Sequence, residues 1–440
     1  MTTTFARRTV LALLGAGAGL SALPRAFAQL RVDITRGRVE PLAIAVAPFA
    51  YDAPELARLA RDIPDVTAAD LESSGFFRRI DPRAHPETPD ELGEVPRFDL
   101  WRRIDAQALV AGRVRLAGAG LAVEFRLWDV FTGEHLAGFR YVLPRAHWRR
   151  AAHRIADAVY VRLTGEGGWF DTRIAYVAES GPATRRVKRL ALMDRDGANH
   201  RFLTDGRELV MTPRFAPDGR RLVYVAWRGG RPGIFERDLE TGRERTLGPF
   251  PGTAFAPRYG PDGSELLLTV AVRGNSDLYR LDLATGRLTR LTDHPAIDTS
   301  PGYDPDARRI VFNSDRAGTP QLYLMDRDGG GVRRLTFRPG RYGSPVWSPR
   351  GDWIAYSVVR GGYFHIGVVR PDGADDRPIT RSFFDESPSF APNGRILVFA
   401  RQDPVRDTRR LFTIGVDGSG LRELPTPLDA VDPDWSPLLP

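Results

Sequence analysis

Three aspartates, Asp298, Asp385 and Asp432, each stand within three residues of a proline that is followed two positions later by an aromatic. Brought together around one point, such carboxylates would form the cluster with which a metal-dependent hydrolase or lactonase holds an ion and activates water. Little else in the chain offers reactive chemistry. The seven histidines, His85, His135, His147, His153, His200, His294 and His365, contain no His-Glu-x-x-His spacing. His147 and His153 share one helical run but sit six apart, on poorly matching faces, so the histidines read as surface or packing residues. The segment "MDRDG" occurs twice, at 193–197 and 325–329, and Asp-Gly turns account for it without calcium. There is no Gly-x-Ser-x-Gly elbow and no cysteine, which removes serine-elbow hydrolysis, thiolate nucleophiles and thiolate metal sites. No catalytic, metal-binding or cofactor-binding residue is therefore assigned, and the carboxylate cluster remains as the alternative to a binding protein.

Composition narrows the class. A chain of 440 residues exceeds most single cores, so two domains are expected. Its 44 glycines and 35 prolines are scattered rather than clustered, which favours many tight turns over disorder. The first residues, "MTTTFARRTVLALLGAGAGLSALPRAFAQ", place Arg7 and Arg8 before an apolar run from Val10 to Leu23 and an Ala26-Phe27-Ala28 motif. That run is too short to cross ~30 Å of hydrocarbon, so residues 1–28 read as a cleaved secretory signal, of the general or the twin-arginine type. Export to the periplasm follows, with no membrane span in the mature chain. Because Arg7, Arg8 and Arg25 lie in the signal and no acidic residue does, the net charge falls from +8 to +5. The remaining basic excess occurs as short pairs such as Arg185-Arg186 and Arg333-Arg334, a solvated surface rather than a nucleic-acid site.

The elements that would position the aspartates emerge from a repeat. "PRFAPDG" at Pro213 recurs as "PRYGPDG" at Pro257, "PGYDPDA" at Pro301, "PVWSPRG" at Pro345, "PSFAPNG" at Pro388 and "PDWSP" at Pro433, with prolines 44, 44, 44, 43 and 45 residues apart. After each turn comes a β-branched run such as "RLVYVAW" or "RIVFNS", then a second such as "DLYRLDL", then a short third such as "GRLTRLT". With the segment around the proline this makes four strands per period, the unit of a β-propeller blade. The aromatics Phe215, Tyr259, Tyr303, Trp347, Phe390 and Trp435 suit burial between neighbouring blades. The last copy stops after its first strand, and its missing strands occur upstream as "TRIAYVAES", "KRLALMDRDG" and "HRFLTDG". The expectation is a six-bladed β-propeller over residues 168–440, closed by the C-terminal strand.

Residues 29–167 obey other rules. "PLAIAVAPF" reads as a buried strand, and "VTAADLESSGFF" as a helix with Thr67 and Asp70 in a loose capping box and Gly75 as its stop. "QALVAGRVRLAG", "LAVEFRLWDVFTG" and "EHLAGFRYVLP" read as antiparallel strands, the last two joined through Thr132-Gly133. The segment 145–166 puts Trp148, Ala152, Ile155, Val159 and Leu163 on one helical face. An N-terminal α/β domain is expected, joined to the propeller near Gly165 to Gly168.

This order of parts resembles the TolB family of the bacterial Tol-Pal system. The resemblance spans essentially the whole mature chain and rests on "TDHPAIDTSPGYDPDARRIVFNSDRAGTPQLYLMDRDGG", "FFDESPSFAPNG", "PLAIAVAPF" and "DLESSGFF". It implies a monomeric, periplasmic protein-binding adaptor without enzymatic activity. Such an adaptor links the inner-membrane protein TolA to the lipoprotein Pal, and it supports outer-membrane integrity and invagination at division; other outer-membrane proteins remain open as partners. In the family the mature N-terminus engages TolA and one propeller mouth receives Pal. Here the first site is "QLRVDITRG", with Leu30, Arg31, Val32, Asp33 and Ile34 alternating as a strand that can add to a partner's sheet or lie at the edge of its own domain. The second falls on loops entering the innermost strands, with Thr253, Ala256, Asp298, Thr299, Ser300, Ser344, Asp385, Glu386 and Asp432. Individually these are also ordinary turn formers and caps.

Overall fold

The computed structural model describes residue 30 and residues 40–440. In the N-terminal half the strand Leu42–Val46, buried at all five positions, lies parallel to and between Phe77–Arg79 and Ala108–Ala117. Burial on both faces is why its sequence shows no polar alternation. Ala108–Ala117, Gly120–Asp129 and His135–Pro144 then form an antiparallel meander that completes the sheet. The helices Leu59–Ser73 and Trp148–Thr164 pack on this sheet and on each other. Ala152, Ile155, Val159 and Leu163 are all fully buried, with Trp148 packed beside them, and Gly165 ends the helix in the left-handed conformation at φ 76°.

The first helix starts earlier than the capping-box reading of Thr67 and Asp70 allowed. It runs through Pro64, which has no N–H to give to the Ala60 carbonyl; that carbonyl instead accepts the N–H of Phe49 at 2.8 Å. Thr67 is thus mid-helix, its hydroxyl donating to Ile63 and Ala152 carbonyls, and Asp70 faces another element altogether. Gly75, at φ 77°, does follow the helix end.

The C-terminal half is β-sheet throughout and propeller-like, but the expected six separate blades closed by the C-terminal strand are not what its hydrogen bonding gives. Four sheets stand as separate four-stranded blades. Three of them begin with Val210–Phe215, Thr253–Tyr259 and Asp298–Tyr303, and the fourth joins Asp429–Trp435 to Arg173–Ser180, Val187–Asp194 and Arg201–Phe202. The two repeats starting at Arg341 and Phe384 merge into one eight-stranded sheet. The cause is local. Phe364 donates its N–H to the Phe383 carbonyl at 3.1 Å, the Phe364 and Phe384 rings lie 4.1 Å apart, and a parallel bridge forms between these two residues. The tail strand pairs antiparallel with Arg173–Ser180 as the edge of an open sheet, and no sheet closes on itself.

Every innermost strand carries the same irregularity. The residue before each repeat proline, Thr212, Ala256, Ser300, Ser344, Ser387 or Asp432, has a φ between 48° and 56°, and the pairing register shifts there. A bulge at this point bends the short strand where the sheets crowd together. The aromatic that follows is held from the preceding sheet: Tyr259 donates its hydroxyl to Glu236 at 2.7 Å under Arg221, and Arg309 lies over the Trp347 ring.

Candidate functional site

In an antiparallel blade, the loop entering the innermost strand and the turn joining the second strand to the third emerge at one end; the other two turns emerge at the opposite end. The α/β half docks at that opposite end. Arg195, in the turn after Val187–Asp194, donates to Asp70 at 2.6 Å, and Asp70 also binds His153 Nδ1 at 2.5 Å. Arg149 pairs with Asp196 in the same turn, and Glu166 receives Arg350 from the turn after another innermost strand. The junction itself is pinned by the Asp157 carboxylate, which accepts the N–H groups of Trp169, Phe170 and Asp171 at 2.6, 2.8 and 2.9 Å. Among the described residues, one end is covered and the other is left free.

The free end holds the residues expected at the mouth, in three different conditions. Asp298 and Asp385 are wholly buried, and each is held through both oxygens by one arginine: Arg316 through Nη2 at 2.9 and 2.7 Å, and Arg401 as a bidentate fork through Nε and Nη2 at 2.7 and 2.9 Å. They are therefore braces for their loops, each neutralised within its own sheet, and do not combine with Asp432 into the ion-binding cluster a hydrolase would need. Thr299 and Ser300 are half-buried and tied inward, Asn313 donating to the Thr299 hydroxyl at 3.3 Å and the Ser300 N–H to Thr269 at 3.2 Å. Thr253 and Ser344 are exposed, while Ala256 is half-buried at its bulge.

Glu386 and Asp432 belong together. Asp432 accepts the Ser387 hydroxyl at 3.1 Å and the Thr212 N–H at 3.4 Å. Burial first, and then the Asp432 charge, push the Glu386 carboxyl up to about 7. The mouth thus has one carboxyl, Glu386, that is partly protonated near neutrality, beside aspartates already satisfied. Of the N-terminal segment, Leu30 is half-buried against the main core; Arg31, Val32, Asp33 and Ile34 lie outside the described residues.

A different set of residues at the free end escaped sequence reading. Leu209, Ile297, Phe337 and Phe383 stand in loops entering innermost strands, and Tyr363 and Val405 at turns between second and third strands. All six side chains are exposed, Phe337 at 71% and Val405 at 92%. The plainest case is Val405, a single apolar residue among turn formers and charges in "RQDPVRDTR", which has no periodicity to mark it. Apolar side chains gathered at one end, around polar loops braced from within, are what a protein-docking surface requires.

Among the described residues, the group of acidic and histidine side chains close enough to share an ion is Asp70, His153 and Asp196, at the covered end. Arginines already occupy its carboxylates.

Comparison with known proteins agrees with both halves. Residues 160–439 match the family model described as the TolB beta propeller domain, and residues 30–136 that of the TolB amino-terminal domain. The chain is 59% identical over 429 residues to the Tol-Pal system protein TolB of Paramagnetospirillum magneticum, spanning 96% of each. It is 56% identical over 429 residues to that of Pelagibacter ubique, spanning 94% of this chain and 96% of the relative. The crystal structure of TolB from Acinetobacter baumannii superposes with a TM-score of 0.79 at 30% identity, covering 93% of this chain and 100% of that one.

Proposed function

Since the chain belongs to the TolB family of periplasmic, non-enzymatic Tol-Pal proteins, we propose that it is a protein-binding adaptor joining TolA at the inner membrane to the lipoprotein Pal. In this role it supports outer-membrane integrity and invagination at division. Cleavage after Ala28 releases a mature chain whose residues 29–167 form the α/β domain and whose residues 168–440 form the propeller-like domain. The segment from Leu30 to Ile34 engages TolA, and the free end receives Pal through the loops holding Thr253, Ala256, Asp298, Thr299, Ser300, Ser344, Asp385, Glu386 and Asp432.

The observation that carries this reading is the asymmetry of the two ends. Ion pairs seal the α/β half onto one end, while the other presents arginine-braced loops and six exposed apolar side chains. Bracing lowers the entropy lost on docking, and isolated apolar tips supply the contacts that exclude water.

Photocrosslinking probes at Thr299 and Ile34 in whole cells test it. Capture of a Pal-like lipoprotein at the first and of TolA at the second is expected. Replacing Phe337 or Val405 by Asp should lower lipoprotein capture without lowering the melting temperature, since both side chains are exposed. No capture at either probe overturns the adaptor role, and capture unaffected by both substitutions moves the docking surface elsewhere.

A further inference from the structure

The innermost strands line a partly open cavity of about 150 Å³ formed by Arg214, Arg258, Gly302, Val346 and Asp434, with the repeat aromatics as its wall. These five occupy one equivalent position, directly after the repeat proline. Their charges do not balance. Asp434 is the one carboxylate lining the cavity, and it is already engaged: one oxygen accepts the Phe215 N–H at 2.8 Å, the other the Ser389 hydroxyl at 3.0 Å. Arg214 lies 4.0 Å from it and donates to the carbonyl of Pro213 at 2.7 Å. Arg258 is half-buried, and among the described residues its guanidinium has no hydrogen-bond acceptor or ion-pair partner. Burial and the Arg214 charge press its pKa down to about 9, with Asp434 pulling only weakly the other way. Gly302 leaves space beside it: a Cβ there would already meet the Arg258 Cδ at 3.6 Å.

A guanidinium is the side chain that gives up its proton least readily, so deprotonation is a poor way to relieve this imbalance. Two planar donor forks lining one partly open space of that size, with a single carboxylate that is already engaged, match an oxyanion in shape and charge. We propose that the axial cavity is a binding site for one small inorganic oxyanion of the phosphate or sulfate type, held by Arg258 and Arg214. The anion would replace the missing acceptor and stiffen the innermost strands that carry the mouth loops.

The test uses the mature full-length protein, in Tris chloride, with inorganic phosphate and sulfate as probes in calorimetric titration and thermal melting. The parent should bind one oxyanion saturably and melt higher as it does so. Arg258→Gln should weaken the apparent affinity by roughly tenfold or more, the consequence of losing a charge-assisted contact. Arg258→Lys should retain part of it. Without oxyanion, Arg258→Gln should melt no lower than the parent, because it removes an uncompensated charge; a merely structural arginine would give the opposite order. Absence of saturable binding in the parent, or equal binding by the parent and Arg258→Gln, overturns the site. If Arg258→Gln does not fold, Arg214→Gln provides the same comparison.

Discussion

His153 shows how much a single side chain can carry at a boundary between two halves of a chain. It is 1% exposed on the long helix, and its Nδ1 meets Asp70 on the first helix, which in turn takes Arg195 from the propeller-like half. Burial alone would lower the His153 pKa, but the Asp70 charge and hydrogen bond outweigh it and raise the pKa. Burial likewise opposes the Asp70 charge, and His153 with Arg195 overcomes it, so the carboxyl stays below its ordinary value. The histidine's share of stability is fully present below its unfolded pKa of about 6.5 and is lost as pH rises through the raised folded value. The share from Asp70 is present above about 3.9 and is lost as pH falls through its depressed value. Between those limits the pair works in full. We expect His153→Gln to cost about 3 kcal/mol near pH 5.5, the lower end for breaking a buried pair because Arg195 remains on Asp70. In urea unfolding across pH, the gap between parent and variant should narrow toward pH 9; a gap that widens with pH would mean that the histidine is buried neutral. The sequence offered a packing histidine here and no more, since its partner lies 83 residues away and no spacing rule connects them.

At the level of elements, what was legible followed from periodicity, and what was not followed from tertiary contact. The helical face of Ala152, Ile155, Val159 and Leu163, the three-stranded meander and the four-strand period are all local patterns. The start of the first helix was missed because Pro64 ordinarily marks a boundary, and only the tertiary bond from Phe49 to Ala60 makes it tolerable inside. The bulge before each repeat proline was equally hidden: a proline in a strand suggests a short edge, not a left-handed residue ahead of it. That conformation costs a non-glycine residue roughly 1–2 kcal/mol, and a following proline restricts the residue further. Ala256, at φ 50°, is the cleanest place to measure this, because its methyl makes no polar contact. Glycine would remove the steric cost but add about 0.5–1 kcal/mol of unfolded-state entropy. Ala256→Gly should therefore stabilise by about 0.5–1 kcal/mol in thermal unfolding, and Ala256→Val should destabilise by at least as much. Loss of stability on Ala256→Gly would show that the bulge is not strained.

Across the whole molecule, the repeat predicted one sheet per period, and it could not foresee the Phe364 and Phe384 bridge that merges two of them, because that contact depends on how one connecting loop folds back. Nor could it foresee which end the α/β half covers. The place where these long-range relations meet is the tail. Trp435 is 5% exposed, donates its indole N–H to Thr172 at 2.8 Å, stands 5.9 Å edge-on to Trp169, and donates its backbone N–H to the Ser389 hydroxyl at 3.1 Å. Five residues further on, the Pro440 carbonyl accepts Arg150 and Arg154 of the long helix at 2.9 Å each. The last strand therefore fastens the first β-sheet, its neighbour and the α/β half at once. Trp435→Ala should cost about 3–5 kcal/mol, the range for an aromatic removed from a packed core. Removing Val431 to Pro440 should do something that single substitution does not. Amide exchange should accelerate both in Arg173–Ser180, which loses its paired edge, and in Trp148–Thr164, whose Arg150 and Arg154 lose the Pro440 oxygen and keep only Asp171. Unchanged protection in that helix would mean that the contacts of Asp70, Arg149, Asp157, Glu166 and Asp171 hold the two halves without the tail, and that the tail seals only its own sheet.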